Sequence, residues 1–152
     1  MTHFFDFKNL PQGSSIIAEY VWIDGTGINT RSKSRTLTKP VNSIQDIPDW
    51  NYDGSSCYQA STHNSEVIIK PVAYYPDPFR PGSNNIIVLT ETFLWEDDNY
   101  SSLKPTNTNF RHFTRPIFEA SNFELPWFGI EQEYSLIETK NKFTMKPLGW
   151  PE

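Results

Sequence analysis

The sequence predicts an α+β chain in which strands and loops outnumber helices. It contains 12 prolines in 152 residues, which argues against long uninterrupted helices because proline lacks a backbone N–H and clashes with the preceding turn. Several runs are rich in β-branched and aromatic residues, which favour strands, and one segment repeats apolar residues at helical spacing. We therefore expect a sheet accompanied by little helix.

The first strand pair should be a hairpin. Residues 16–23 are rich in β-branched and aromatic side chains, and residues 24–27 supply the two glycines that a tight turn requires. The return strand, residues 31–37, places three basic residues on one face because strand side chains alternate. These residues are Arg31, Lys33 and Arg35. We interpret the basic face as a solvated outer face, with attraction of anions as the alternative.

The middle of the chain alternates loops with two further strands. Residues 40–48 read as a connection, and residues 49–56 combine Asn, Asp, Gly and Ser with aromatic residues, as structured loops do. The runs 66–72 and 85–93 suit strands of a buried sheet. Between them, residues 75–82 contain three prolines and should form a loop.

A domain boundary is expected near residue 103, where acidic and serine residues interrupt the apolar pattern of residues 95–105. Beyond it, Thr108 or Asn109 could cap a helix. Its apolar residues at helical spacing are Phe110, Phe113, Ile117 and Ala120. Pro116 should kink or restart this helix.

Two glutamates lie in the last predicted strand, residues 127–136. Glu131 and Glu133 are two positions apart, so in a strand both carboxylates would lie on one face with Cα atoms about 6.5–7 Å apart. Unless both are hydrated, one must be protonated or a cation must lie between them. Oxygen ligands suit Mg²⁺ or Mn²⁺. Such a pair is more commonly a solvated surface, and only the neighbouring Gly129 and aromatic residues favour a cleft wall.

Asp53 and Cys57 lie in or beside the loop 49–56. Asp53 is either the cap of an Asx-type turn or a carboxylate offered to a cationic or proton-donating ligand. Loop chemistry alone does not separate the two. Cys57 is interpreted as a small buried hydrophobe, because no partner pattern accompanies it.

Composition and charge exclude several classes of function. A net charge of −5 and a pI near 5.2 give no electrostatic reason to bind nucleic acid. The single cysteine rules out an internal disulfide, and we expect a soluble cytoplasmic protein because neither a targeting segment nor a membrane-spanning run is evident. The histidines have no metal-ligand spacing: His3, His63 and His112. The common nucleotide-binding and hydrolase signatures are also absent.

Several collinear segments resemble glutamine synthetase of the eukaryotic type. The most specific are Trp50-Asn51-Tyr52-Asp53-Gly54-Ser55-Ser56 and Gly129-Ile130-Glu131-Gln132-Glu133-Tyr134. The other segments are residues 18–25, 31–37, 77–80, 108–112 and 149–151. Segments that match in order along the chain are more specific than any one of them.

The resemblance implies a β-grasp domain over residues 14–103 and the incomplete start of a catalytic domain over residues 104–152. It implies an ATP-dependent ligase that forms glutamine from glutamate and ammonium through an acyl phosphate. Glu131 and Glu133 match metal ligands for Mg²⁺ or Mn²⁺, Glu133 should also lie near glutamate, and Asp53 matches the residue that binds ammonium and removes its proton. The family forms rings whose active sites lie between like subunits, so a monomer would be inactive. This sequence also lacks what the family supplies after Gly149-Trp150-Pro151, including further acidic ligands, so this chain alone should be inactive.

The chain also departs from the family pattern. Cys57-Tyr58-Gln59 stands where Thr-Gly-Gln is usual, residues 95–102 look longer, and Pro116 falls within an expected helix. The sequence therefore leaves open a non-catalytic homologue that docks onto full-length synthetase subunits. A ligase acting on another amine is a third possibility, against which the Asp53 motif argues.

Overall fold

The structure is a computed structural model that describes residues 11–81, 83–137 and 147–149. Six strands and one α-helix occur in this part of the chain: β1 (Ile16–Ile23), β2 (Thr30–Leu37), β3 (Trp50–Asp53), β4 (Glu66–Pro76), β5 (Ile86–Trp95), β6 (Leu103–Pro105) and α1 (Phe110–Ala120). The predicted α+β class is confirmed.

The strands form one mixed sheet in the order β2-β1-β5-β4-β3, and β6 pairs with β5. β1 and β5 are parallel, whereas the other neighbours are antiparallel. The predicted hairpin is confirmed, with Ile23 opposite Thr30 at its turn. β4 and β5 are also confirmed and run longer than predicted, so that β4 continues into the proline-rich segment as far as Pro76.

One face of the sheet carries the core. Ile16, Ala18, Tyr20 and Trp22 are buried along β1, while the intervening side chains of this strand are more exposed. They pack with apolar residues of the neighbouring strands and with Cys57. The expected role of Cys57 as a buried hydrophobe is confirmed.

The two edges of the sheet approach each other across this core face. On β2, Lys33 donates a hydrogen bond to the carbonyl of Asn51 on β3 at 2.9 Å, and its ammonium lies 3.5 Å from the centroid of the Trp50 ring. Arg35 lies 5.6 Å from the same centroid. The interpretation of the basic face as solvated is therefore wrong for Lys33 and Arg35, which are half-buried because the sheet curls.

The segment predicted as a loop at residues 49–56 contains a strand. β3 pairs antiparallel with β4, with Asp53 opposite Glu66, and a 3₁₀ turn follows at Gly54–Cys57. Residues typical of loops occupy this strand, so its short alternation of buried and exposed side chains was not recognised in the sequence. Tyr52 is buried in the core, and its neighbours are more exposed. The loop prediction is wrong for these four residues and holds for the turn after them.

Helix α1 begins after Asn109, whose side-chain oxygen accepts a hydrogen bond from the backbone N–H of His112 at 3.2 Å. The predicted cap is confirmed for Asn109. The helix continues through Pro116, so the predicted restart does not occur.

The chain separates into two compact units, residues 1–119 and 120–152. In the described part of the second unit, the predicted strand at residues 127–136 is absent, and an isolated bridge joins Ile137 to Pro147. Trp127 is 95% exposed and Ile130 is 93% exposed. A strand needs backbone partners along its length. Among the described residues no other strand pairs with this segment, and the Leu136 carbonyl accepts a hydrogen bond from the N–H of Leu148 at 2.7 Å. The division of the chain into one domain over residues 14–103 and a second over residues 104–152 stays a prediction.

No helix in the described part of the chain is long and apolar enough to cross a bilayer.

Candidate active site

Asp53 is the last residue of β3 and caps the 3₁₀ turn that follows. Its Oδ1 accepts hydrogen bonds from the Ser55 hydroxyl at 2.6 Å and from the Ser55 backbone N–H at 2.9 Å. These bonds, the hydroxyl first, hold the pKa of Asp53 below its ordinary value. The Asx-type turn is therefore confirmed. Because the residue is also exposed, the capping carboxylate is open to a ligand.

The loop that carries Asp53 is fixed by backbone hydrogen bonds. Gly54 donates to the carbonyl of Ser65 at 2.6 Å, and Gly25 donates to the carbonyl of Cys57 at 2.8 Å. A Cβ at Gly25 would lie 2.1 Å from the carbonyl oxygen of Tyr58, so only glycine fits there without moving the loop. The turn after β1 and the Asp53 loop therefore hold each other in place.

Gln59 joins this loop to three other parts of the sheet unit. Its side-chain amide donates to the carbonyl of Ile23 at 3.0 Å and to the hydroxyl of Thr108 at 3.1 Å, and its oxygen accepts from the Tyr52 hydroxyl. Tyr52 in turn stacks on Trp22 with ring centroids 4.1 Å apart. The sequence did not indicate this role of Gln59, because a single glutamine carries no signal for partners this distant along the chain.

Tyr58 has an unusual backbone conformation beside the candidate site. Its φ is 61°, in the left-handed region, and its N–H completes the 3₁₀ turn by donating to the carbonyl of Gly54. This conformation costs a residue with a Cβ about 1–2 kcal/mol. The residue is 75% exposed. The sequence identified Tyr58 as a departure from the family pattern but did not indicate this geometry.

Glu131 and Glu133 belong to the second compact unit, whereas Asp53 belongs to the first. Both glutamates are exposed and lie outside regular secondary structure. Their oxygens are chemically suited to a hard divalent ion, which takes about six oxygen ligands. Among the described residues no group of three or more His, Cys, Asp or Glu side chains could hold a metal ion. The pair therefore fits part of a metal site and does not complete one.

The two histidines that the structure describes do not add to either group of site residues. In the first unit, His112 Nδ1 lies 3.8 Å from Glu91, and the ring packs edge-on against Phe93. His63 is exposed, and His3 lies outside the described residues.

A cleft of about 470 Å³ lies away from Asp53, over β1, β2 and β5. Arg80 lines it and pairs with Glu19 at 2.7 Å and with Asp77. These ion pairs, together with that of Arg31 to Asp24 at 3.1 Å, satisfy the charged groups that line the cleft. The cleft is therefore less suited to reaction chemistry than the Asp53 loop, despite its size.

Among known proteins, glutamine synthetases are similar to this chain along almost its whole length. No family model matches the chain. The glutamine synthetase of Candida glabrata is 48% identical over 143 residues, which cover 94% of this chain and 36% of the relative. The glutamine synthetase of Saccharomyces cerevisiae is 48% identical over 96% of this chain and 36% of the relative, and the chloroplastic leaf isozyme of Hordeum vulgare is 45% identical over 99% and 33%.

The chain belongs to the glutamine synthetase family. The resemblance drawn from its motifs is confirmed. The chain spans about a third of the length of these curated synthetases and matches their N-terminal portion. One relative is named as chloroplastic and another as mitochondrial, so membership of the synthetase family does not by itself decide the compartment.

Proposed function

We propose that this chain contributes the ammonium-binding part of a glutamine synthetase, which joins glutamate and ammonia with the use of ATP. The observation that carries the proposal is the 48% identity to the synthetase of Candida glabrata over 94% of the chain. The exposed, ionised Asp53 on a fixed loop supports it, because a carboxylate there can attract a cation.

Asp53 would first bind ammonium by charge and hydrogen bonding. Its lowered pKa keeps the carboxylate ionised, which favours binding of the cation and makes the group a weak proton acceptor. Asp53 would therefore orient ammonium and take its proton only on the way to water. The ammonia lone pair then attacks the acyl carbon of γ-glutamyl phosphate, the C–N bond forms and phosphate leaves.

Glu131 and Glu133 would supply carboxylate ligands to Mg²⁺ or Mn²⁺, with the remaining ligands from elsewhere. When bound, the ion neutralises phosphate charge during phosphoryl transfer from ATP. Glu133 would also lie near the glutamate substrate. Support for these roles comes from the match to the family motif and from the oxygen donors of both residues.

The proposed architecture is a β-grasp domain followed by the start of the catalytic domain. The mixed sheet with parallel β1 and β5 agrees with such a fold. We propose that like subunits form a ring in which each active site lies between neighbours, and that the enzyme acts in the cytosol.

The test is glutamine formation by the product of the complete native reading frame. Asp53→Ala should lower kcat/KM for ammonium by about 10²–10⁴-fold, because it removes the group that binds and deprotonates the nucleophile. Asp49→Ala is the matched control, since Asp49 is also exposed and lies four residues away. Turnover that survives Asp53→Ala unchanged would remove Asp53 from the mechanism.

The alternative is a non-catalytic homologue that docks onto full-length synthetase subunits. It is favoured by the compact sheet unit of residues 1–119 and by the incomplete metal-binding set among the described residues. Sequencing the native transcript distinguishes the two. A frame that continues past Glu152 into further acidic ligands favours the ligase, whereas a stop codon there, with co-purification of full-length subunits, favours the docking protein.

A further inference from the structure

Asp53 and Tyr58 cap opposite ends of one short 3₁₀ turn, Gly54–Cys57. A 3₁₀ helix rises about 2 Å per residue, so the two Cα atoms are separated by roughly 10 Å or less. Both side chains are exposed, whereas Gly54 and Cys57 between them are buried. The inner side of the turn is thus packed into the protein, while both capping residues remain accessible to solvent.

The Tyr58 ring is held by a fixed backbone. Its N–H is bonded to Gly54, the preceding carbonyl accepts from Gly25 at 2.8 Å, and its own carbonyl lies against Gly25. Gln59, the next residue, is bonded to Ile23 and Thr108. A bulky side chain therefore stands at a left-handed position that glycine or asparagine occupies more easily, on a backbone that cannot readily move it aside.

We propose that Tyr58 is a specificity-determining residue of the ammonium site, whose ring restricts the size of the amine that reaches Asp53. This inference rests on the proposed function. A carboxylate attracts any small ammonium ion by charge, so Asp53 alone does not distinguish ammonium from methylammonium. Discrimination between them requires limited space, and Tyr58 carries the largest side chain on this turn.

Methylamine tests this restriction because it reacts as ammonia does. Its nitrogen lone pair attacks the acyl carbon of γ-glutamyl phosphate, the C–N bond forms, phosphate leaves and one proton passes from nitrogen to Asp53 and then to water. The product is the N-methyl amide of glutamine. The two amines differ by one methyl group, a difference worth about 10–200-fold in a shaped pocket.

The experiment measures kcat/KM for ammonium and for methylamine with the product of the complete reading frame. Tyr58→Gly and Tyr58→Asn should each raise the methylamine-to-ammonium ratio by about tenfold or more, since both tolerate the left-handed backbone and remove the ring. The matched control is Tyr100→Gly. Tyr100 also has a positive φ, 56°, and is 61% exposed, but it lies in the turn between β5 and β6.

The outcomes separate this inference from the proposed function. A raised ratio in both Tyr58 variants, with no change in Tyr100→Gly, supports the role of Tyr58. Normal use of ammonium with a ratio unchanged in both Tyr58 variants overturns that role and leaves the synthetase activity in place. Absence of turnover with either amine in the unaltered protein overturns both.

Discussion

Asp24 has no solvent exposure, and its environment stabilises the charged carboxylate. Thr26 donates to Oδ1 through its hydroxyl at 2.5 Å and its backbone N–H at 3.0 Å, while Arg31 donates to Oδ2 at 3.1 Å. These partners, the Thr26 hydroxyl first, lower the pKa of Asp24. The charge therefore fixes the turn between β1 and β2, which also contacts the Asp53 loop.

Asp24→Asn should destabilise the protein more at pH 7 than at pH 3. The folded-state pKa of Asp24 is depressed, so its contribution is complete above the ordinary aspartate pKa of about 4 and is lost as pH falls through the folded-state value. Urea unfolding at both pH values measures the difference, with exposed Asp98→Asn as the control. An equal loss at both pH values would contradict this account.

The side chain of Lys33 on β2 contacts β3, the opposite edge of the sheet. Lys33→Met keeps most of the aliphatic side chain but removes the hydrogen bond to Asn51 and the charge over Trp50. We expect the free energy of unfolding to fall by about 1–2 kcal/mol. Chemical denaturation measures it, and exposed Lys39→Met should change little. Equal effects of the two variants would mean that the contact to β3 contributes nothing.

The sequence indicated Asp53 because its turn partners lie within two residues. It did not indicate the role of Gln59, and it placed Lys33 on a solvated face, because the partners of both residues are distant along the chain. Gln59 bonds to Ile23, 36 residues earlier, and to Thr108, 49 residues later. Side chains whose contacts depend on how the sheet curls cannot be assigned from local pattern alone.

At the scale of elements, α1 is joined to the sheet at its first turn. Asn109 caps the helix and also donates to the carbonyl of Thr92 on β5 at 2.9 Å, where it is buried. Arg111 and His112 lie 3.5 and 3.8 Å from the buried carboxylate of Glu91. The start of the helix is therefore specified by polar contacts to β5.

Asn109→Ala should lower the free energy of unfolding by about 1–3 kcal/mol. It removes a helix cap and leaves the buried carbonyl of Thr92 without this donor. Asn107→Ala is the control, because Asn107 is exposed two residues earlier. Thermal melting followed by circular dichroism checks both variants, and a loss no greater than that of the control would contradict the dual role.

The sequence predicted correctly those strands that are long and that pair with one another. β1, β2, β4 and β5 are long enough for alternation or apolar runs to identify them, and they pair with one another. β3 was not predicted, because its segment contains residues that are typical of turns. Residues 127–136 carry a strand-like pattern but have no strand partner among the described residues, so the pattern alone does not produce a strand.

At the scale of the whole molecule, the buried residues identified in the described chain all lie between Ile16 and Asn109. Burial of apolar surface is the main favourable contribution to folding, so stability should reside in the sheet unit. The residues proposed for the reaction are distributed over both units, since Asp53 lies in the first unit and Glu131 and Glu133 lie in the second. Stability is thus expected from the first unit, whereas the proposed chemistry takes residues from both units.

A chain shortened to residues 1–119 should therefore melt as cooperatively as the chain of 152 residues, with a midpoint within about 2 °C. None of the described residues after Asn109 is buried, so their removal deletes little core packing. Calorimetry of both chains provides the measurement. Gly54→Ala is the positive control, because the added Cβ would lie 2.3 Å from Val67 in the core and should lower both midpoints alike. A much lower midpoint for the shortened chain alone would mean that residues 120–152 stabilise the sheet through contacts that burial does not reveal.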